Sequence, residues 1–318
     1  YYLSGTNSPA LRRELAKYIT CISDSSRLFV QFHIIIKVAA GWLRYNPRME
    51  RKLIESCLEG LPAGPLRYFQ KIDSTNAEAL RWLEDGAPDF SLVIADEQTA
   101  GRGRKDRKWY TPPNCALAFS LILRSPLTSA TRKHPSEVFT RLTALGALAV
   151  SSALRDGFDL PVQIKWPNDL LVSGRKIAGV LAESTWSGEH LAAAVIGIGI
   201  NVAPLSIQNQ QEFDAPATYV EYEVNRIVSR PELLRQVLTS IFEWNKQIFN
   251  DTFLETWNER LLYREEWVHL IPETDGPTQP PLEAYIIGLE QDGALKIRLK
   301  DDRIKTVYSS DYRIAAGF

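Results

Sequence analysis

The stretch GRGRKDRKW at residues 101–109 places two glycines, five basic side chains and a tryptophan within one short segment. Gly101 and Gly103 permit unusual backbone angles and a close approach to a ligand, and the basic side chains concentrate positive charge. Such a loop suits a polyphosphate. An isolated basic run is more often a solvated loop or a nucleic-acid patch, so its interpretation depends on the segments around it.

Strand and helix patterns alternate on both sides of this loop, which predicts mixed α/β structure with one sheet and a helical layer. Ser74 or Thr75 is placed to cap a first helix, and an Ala-rich run from about 137 to 155 predicts a second. The predicted strands are LRYFQKI (66–72), SLVIAD (91–96), CALAFSLILR (115–124), VQIKWP (162–167), the pair LLV and KIAGVLAE (170–183), and HLAAAVIGIGINV (190–202).

The pattern changes towards the C-terminus. A long amphipathic segment from about Pro231 to Arg264 is expected to close the central domain. From Trp267 onward, short alternating runs with QDG and KDD at the turns are typical of a small β-barrel or sandwich. We therefore predict three parts: an N-terminal segment of unassigned role (1–65), a central domain (66–265) and a small β domain (266–318).

Composition narrows the class of protein. With 318 residues, 45% of them hydrophobic, the chain can bury a large core in two or more domains. A net charge of -1 provides no global field for binding nucleic acid or an anionic membrane, so any anion site must be local. Cys21, Cys57 and Cys115 contain no CxxC pair, which disfavours a disulfide framework or a structural zinc site and favours the cytoplasm.

The N-terminal region gives two expectations. The apolar stretch from Leu28 to Leu43 contains Lys37 near its middle, which disfavours a membrane span, and it lacks the pattern of a signal peptide. Met49 is the single methionine of the chain. One hypothesis is that translation begins there.

Two further motifs accompany the basic loop. Residues 165–169 read KWPND and residues 175–183 read RKIAGVLAE, so a proline turn with a carboxylate precedes a lysine that enters a strand. Asp169 alone would more often be a turn residue, and Lys176 alone a surface lysine. Their combination with the loop makes both candidates for a functional site.

Two nucleotide-binding motifs are excluded, one by the run IGIGIN at 196–201 and one by the basic loop at 101–109. Asn201 and Pro204 stand where a dinucleotide fingerprint requires a last glycine and a helix start. A Walker loop is also excluded, because Asp106 occupies the position of its second glycine and no GK[ST] follows. The small residues would either make room for a flat ligand or allow close packing of the strand.

Covalent nucleophilic catalysis is disfavoured, because no histidine has the neighbours of a Ser/His/Asp set. The remaining glycines, arginines, lysine, tryptophan and small polar residues fit adenylation. That reaction requires charge neutralisation and alignment more than acid–base groups.

Taken in order, DSTN (73–76), GRGRKDRKW, KWPND, RKIAG and IGIGIN closely resemble the catalytic domain of biotin–protein ligases, from about Leu66 to Ala203. The C-terminal residues, including DGAL at 292–295, resemble the small β domain of that family. The resemblance implies an α+β fold: a class II synthetase-like catalytic domain, with a mixed sheet and helices, followed by an SH3-like β-barrel.

The resemblance also implies roles for individual residues. Lys176 and Arg104 are the catalytic candidates, and Lys176 would contact the biotin carboxylate and the α-phosphate. The expected biotin-binding residues are Ser74, Thr75, Asn76, Gln98, Arg102, Gly103, Arg104, Lys176 and Gly179. The expected ATP or adenylate contacts are Arg102, Arg104, Trp109 over the adenine, and Asn201 at its edge. Asn168 and Asp169 would orient the loop or a magnesium-bound phosphate, and no metal ligand is assigned.

The implied substrates are biotin and ATP with Mg²⁺, and the implied partner is the biotin carboxyl carrier domain of acetyl-CoA carboxylase or a related carboxylase. Two alternatives stay open: a lipoate or octanoate ligase of the same fold, and a non-enzymatic biotin sensor. Asp106 departs from the bacterial loop, where a small glycine turn often stands. Because the first 65 residues show no helix-turn-helix signature, we predict a ligase that does not bind DNA. No association with membranes is predicted either.

Overall fold

A seven-stranded mixed sheet forms the centre of the protein in a computed structural model that describes residues 49–124, 135–187, 190–207, 216–273 and 280–315. Its strands are β1 (Leu66–Phe69), β2 (Leu92–Ala95), β3 (Ala116–Leu123), β4 (Gln163–Lys165), β5 (Asp169–Val172), β6 (Arg175–Ser187) and β7 (His190–Asn201). They lie in the order β1-β2-β3-β7-β6-β5-β4. β1 and β2 are parallel, and the other neighbours pair antiparallel. The predicted strands are confirmed.

Helices cover both faces of this sheet. They are α1 (Arg51–Leu58), α2 (Thr75–Glu84), α3 (Pro135–Phe158), the short α4 (Val220–Glu223), α5 (Arg230–Asn245) and α6 (Asp251–Glu259). α2 begins at Thr75 because the Ser74 side chain accepts a hydrogen bond from the Ala77 amide, at 3.4 Å. Ala79 of α2 packs with Val93 on one face, while Leu92 and Ile94 point into the core on the side of α3.

The segment from about Pro231 to Arg264 forms two helices and not one continuous helix. α5 begins after the capping Ser229 with Pro231 in its first turn, which suits the missing amide of proline. Residues 246–250 then turn, with the Asn250 amide donating to the Gln247 carbonyl at 2.8 Å. Asn250 caps α6, which buries Phe253 and Trp257. The break lets two apolar faces pack in different directions.

The C-terminal region is a second, antiparallel sheet. Its strands are β8 (Trp267–Pro272), β9 (Leu282–Leu289), β10 (Leu295–Arg298), β11 (Ile304–Val307) and β12 (Tyr312–Ile314), in the order β11-β10-β9-β8-β12. The expected turns fall at Gly293 and Asp302, which have φ angles of 81° and 62°. A small β domain after Trp267 is therefore confirmed, and closure into a barrel stays a prediction.

The second sheet is docked onto the first through its QDG turn. The Trp166 indole nitrogen donates to the Gly293 carbonyl at 3.1 Å. A Cβ atom on Gly293 would lie 2.6 Å from the Trp257 ring, so only glycine fits between the two parts. Arg141 of α3, 3% exposed, donates to the Gln291 carbonyl at 2.6 Å. These buried contacts place the end of the C-terminal sheet beside the KWPND turn.

The expectations for residues 1–48 lie outside the described residues. Met49, at the start of the described part, is 1% exposed, and its carbonyl accepts a hydrogen bond from the Tyr68 hydroxyl. Within the described ranges, no helix combines the length and the hydropathy needed to cross a membrane.

Candidate functional site

One cleft gathers all but one of the candidate residues. It lies over β6 and β7 and has a volume of about 1100 Å³, including space that is open to solvent. Its lining includes Ser74, Thr75, Asn76, Gln98, Arg102, Gly103, Arg104, Trp109, Asn168, Asp169, Lys176 and Gly179.

The floor of the cleft consists of glycines on neighbouring strands. Gly179 of β6 pairs with Gly199 of β7. A Cβ atom on Gly199 would lie 2.3 Å from the Trp109 ring, and one on Gly197 would lie 2.0 Å from Oδ1 of Asn76. The two glycines of IGIGIN therefore make room for two side chains that enter from loop and helix, which is the close-packing interpretation of that run.

Trp109 is the flat group that covers this floor. Its ring lies over Gly199 and within 3.2 Å of a Cβ built on Gly179, and its indole nitrogen is buried without a hydrogen-bond partner among the described residues. A buried N–H without an acceptor costs about 1–3 kcal/mol. An acceptor on a bound ligand would remove that cost.

A polar pocket lies beside the tryptophan at the start of α2. Ser74, Thr75 and Asn76 are each 4% exposed. Gln98 Oε1 accepts from the Thr75 amide at 2.8 Å, and the Gln98 amide nitrogen donates to the Thr111 hydroxyl at 3.0 Å. Because its partners fix the orientation of Gln98, the pocket presents a defined set of donors and acceptors.

The sequence did not indicate two residues that hold the side chains of this pocket in place. Ser120 of β3 is fully buried and donates a hydrogen bond to Oδ1 of Asn76 at 2.5 Å. In the sequence, its hydroxyl is the one polar side chain of an otherwise apolar strand. Glu183 of β6 accepts from the Asn76 amide at 2.7 Å and from Arg102 at 3.1 Å. Glu183 thus links the pocket to the basic loop.

Lys176 stands between a carboxylate and an aromatic face. Its Nζ lies 2.7 Å from Oδ1 of Asp169 and 5.6 Å from the centre of the Trp109 ring. Its backbone is also held, because the Lys176 amide donates to the Pro216 carbonyl at 2.7 Å. Asn168 both donates to and accepts from the backbone of Val180, at 3.0 Å each, and so fixes the KWPND turn on β6.

The basic loop closes on itself as a tight turn. The Gly103 amide donates to the Arg107 carbonyl at 2.6 Å, and the Trp109 amide donates to the Gly101 carbonyl at 2.8 Å. Gly101 is needed for this approach, since its Cβ would lie 2.4 Å from the Trp109 carbonyl oxygen. Gly103, however, has an ordinary φ of -110°. The residue of the loop with a positive φ is Lys105, at 53°. Gly103 therefore does not use the backbone freedom of glycine here, and its contact with a ligand stays a prediction.

The cations of the loop meet a carboxylate of the second sheet that the sequence did not indicate. Arg104 and Arg107 lie 3.7 and 2.8 Å from Glu273, and Arg313 of β12 lies 3.6 Å from it. Burial lowers the pKa of Arg104, and the nearby Glu273 opposes that shift. No sequence pattern indicated this contact, because Glu273 lies more than 160 residues after the basic loop in the chain.

Asn201 is the one candidate that does not line the cleft. It is 4% exposed, and its side-chain amide donates to the Thr218 carbonyl at 3.1 Å. In this arrangement it fastens the segment after Pro216 to the end of β7. Its contact with an adenine edge stays a prediction.

The cleft can align two anions and neutralise their charge. Lys176 and Arg104 supply cations at its centre, and the polar pocket supplies neutral hydrogen-bonding groups. In the described part of the chain, no group of three or more His, Cys, Asp or Glu residues is arranged to hold a metal ion. The arrangement suits attack of a carboxylate on a phosphate ester, in which positioning and electrostatics dominate.

Several known proteins are similar to this chain in sequence and in fold. Residues 68–201 match the Biotin/lipoate A/B protein ligase family. A biotin--[acetyl-CoA-carboxylase] ligase of Paracoccus denitrificans is 37% identical over 58% of this chain and 73% of its own length. The bifunctional ligase/repressor BirA of Escherichia coli is 30% identical over 74% of this chain and 72% of its own.

A solved structure supports the same relationship. The biotin protein ligase of Aquifex aeolicus, in complex with biotin and ATP, is 28% identical and superposes with a TM-score of 0.64, covering 80% of this chain and 99% of that one. The chain therefore belongs to the biotin/lipoate protein ligase family and, within it, to the biotin–protein ligases.

Proposed function

We propose that this protein is a biotin–protein ligase, which activates biotin with ATP and transfers it to a lysine of a biotin carboxyl carrier domain. The observation that carries the proposal is the placement of Lys176, the polar pocket at Asn76 and the Trp109 ring in a single cleft. Relatives of this chain are named biotin--[acetyl-CoA-carboxylase] ligases, and a similar solved structure is in complex with biotin and ATP.

The first step joins two anions. An oxygen of the biotin carboxylate attacks the α-phosphorus of ATP, the bond to the β-phosphate oxygen breaks, and pyrophosphate leaves. Lys176 offsets the charge that develops on the α-phosphate, because its ammonium is held in the cleft by Asp169 and its side chain is only 18% exposed. Mg²⁺ is proposed to arrive as MgATP, held mainly through phosphate oxygens, as is common for this ion.

In the second step, the neutral ε-amine of the carrier lysine attacks the acyl carbon of the mixed anhydride. The C–O bond to AMP breaks, the amine loses a proton, and an amide and AMP result. The chain's own contribution is to hold the adenylate and exclude water. Trp109 and the basic loop are the groups placed to do so.

The polar pocket favours biotin over a linear acyl chain. The ureido ring of biotin carries two N–H donors and a carbonyl acceptor, and burying it is unfavourable unless these groups are paired. Ser74, Thr75, Asn76 and Gln98 line the cleft with hydroxyl and amide groups that can exchange or share hydrogen bonds with this ring, whereas an alkyl chain offers no group to pair with them. This selectivity is part of the proposal.

A labelling experiment tests the function. The purified chain is incubated with MgATP, a carboxylase carrier domain, and either biotin or lipoate, and the carrier mass is measured. We expect a mass increase with biotin and none with lipoate or with a carrier whose acceptor lysine is replaced by arginine. Labelling by lipoate alone would contradict the proposal. Adenylate formation without transfer to the carrier would favour the alternative of a biotin sensor.

We also propose that the reaction takes place in the cytoplasm and that the chain does not bind operator DNA. Sequence-specific DNA binding by the purified protein at physiological salt would contradict the second point. The assignment of residues 66–265 to catalysis and 266–318 to a small β domain belongs to the same proposal.

A further inference from the structure

Glu273, at the end of β8, is a carboxylate of the second sheet that lines the cleft. Its side chain is 7% exposed and lies 2.8 Å from Arg107 and 3.7 Å from Arg104. The backbone carbonyl of Glu273 also accepts from Lys105 Nζ at 3.2 Å. One residue therefore contacts three of the five cations of the basic loop.

Because the Glu273 carboxylate is buried, its contacts with cations affect the free energy of the folded protein. A carboxylate removed from water is unfavourable unless cations and hydrogen bonds compensate it. Arg313 of β12 lies 3.6 Å from Glu273, and the Glu273 amide donates to the Asp311 carbonyl at 2.7 Å. The carboxylate is thus anchored in the second sheet before it meets the loop.

The contacted residues form the tip of the loop. Arg104 begins the turn that Arg107 ends, and the Gly103 amide closes it by donating to the Arg107 carbonyl. Because Lys105 adopts a φ of 53°, which costs free energy in a residue with a side chain, the turn needs support from outside. Glu273 contacts both ends of the turn, through a hydrogen-bonded ion pair with Arg107 at 2.8 Å and a longer ion pair with Arg104 at 3.7 Å. Arg104 also donates a hydrogen bond to the Ser309 carbonyl of the C-terminal region.

We propose that Glu273 is a positioning residue whose carboxylate holds the basic loop closed over the cleft through Arg104 and Arg107. The latch consists of the contacts of the Glu273 carboxylate with these two guanidinium groups. For catalysis, the latch should slow the release of the adenylate, and this consequence rests on the proposed function. The closure of the loop by Glu273 does not rest on it.

Hydrogen–deuterium exchange of the full chain without ligands tests the latch. Glu273→Gln keeps the size of the side chain and removes its charge. We expect the amides of Gly103, Arg107 and Trp109 to exchange about tenfold faster, because losing the charge-assisted hydrogen bond to Arg107 and the ion pair with Arg104 raises the open fraction of the loop. Glu273→Asp, which keeps the charge, should recover part of the protection.

Glu283→Gln is the matched control. Glu283 belongs to the same sheet and pairs with Lys300 at 2.6 Å, on the surface and away from the loop. This variant should leave loop exchange unchanged. The amides of β9 and β10 provide an internal reference, and their protection should be equal in all variants.

Unchanged loop exchange in Glu273→Gln would overturn the proposal. So would an equal rise in the loop and in β9 and β10, which would show general loosening of the second sheet. A companion measurement follows release of adenylate formed from biotin and MgATP, expected to be about tenfold faster in Glu273→Gln. If the parent chain forms no adenylate, the proposed function fails, while the exchange data still decide the latch.

Discussion

The ammonium of Lys176 is paired with the carboxylate of Asp169 at 2.7 Å while it faces the ring of Trp109. Both partners fix the direction of the ammonium group. The cleft therefore holds its central cation in place before an anionic substrate enters, and Asp169 is the group that a substrate carboxylate or phosphate would replace or join.

Replacing this cation should affect chemistry more than folding. We expect Lys176→Met to slow adenylate formation by a free energy of about 2–4 kcal/mol, by analogy with the loss of one oxyanion donor. Biotin-dependent pyrophosphate exchange measures this step. Lys300→Met, which removes a surface lysine paired at a similar distance, should leave the rate unchanged. Pyrophosphate exchange at the parental rate in Lys176→Met would remove the lysine from its role.

Replacing Gly197 and Gly199 of β7 by alanine should weaken the binding of biotin and of ATP separately. Gly197→Ala would place a Cβ 2.0 Å from Asn76 Oδ1, and Gly199→Ala would place one 2.3 Å from the Trp109 ring. Overpacking of this kind typically costs about 1–3 kcal/mol. We expect the first change to raise mainly the Kd for biotin and the second mainly the Kd for ATP, in titration calorimetry. Each variant is the control of the other, and equal losses for both ligands would contradict the assignment of two subsites.

Breaking a buried ion pair outside the cleft should lower the free energy of unfolding of the central domain. Arg230 at the start of α5 lies 2.5 Å from Asp96, with side chains 0% and 2% exposed. Arg230→Met leaves the carboxylate buried without its main cation, so we expect the free energy of unfolding to fall by about 3–5 kcal/mol in urea denaturation. Adding Asp96→Asn should recover part of the loss. A double variant less stable than Arg230→Met would argue against this explanation.

Alkaline pH should destabilise the fold through two buried acids. Burial raises the pKa of Cys115 from 9.0 to about 12, and burial together with Glu221 raises the pKa of Tyr219 from 10.0 to about 12. The folded state therefore binds these protons more tightly than the unfolded state. Their stabilising contribution is complete below pH 9 and is lost as the pH rises through about 12. Thermal unfolding across this range measures the decline, and Cys115→Ala should make it shallower.

Much of the fold could be predicted because its signals are local. Ser74 caps α2 as its sequence position indicates, and the residues SGR between β5 and β6 supply the turn, with positive φ at Ser173 and Gly174. The amphipathic spacing of residues 231–264 predicted helical structure but did not locate the turn at residues 246–250 between α5 and α6.

The candidate site was less predictable where it depends on distant pairs. Motifs located Lys176, Asn76 and Trp109, since each stands in a patterned segment. Glu273 and Arg313 come from the second sheet, whose docking no spacing in the sequence reveals. The position of Trp109 on Gly199 likewise depends on strand register, which fixes which glycines face the cleft.

The hydrogen bond from Trp166 to the carbonyl of Gly293 means that the C-terminal sheet is not an interchangeable module. A chain cut after α6 would expose Trp166 and the flank of Trp257 to water, and it would also lose the wall that Glu273 and Arg313 add to the cleft. Truncation and domain exchange at this boundary would therefore damage the catalytic half itself, so engineering of acceptor specificity is better directed at surface loops that leave this joint intact.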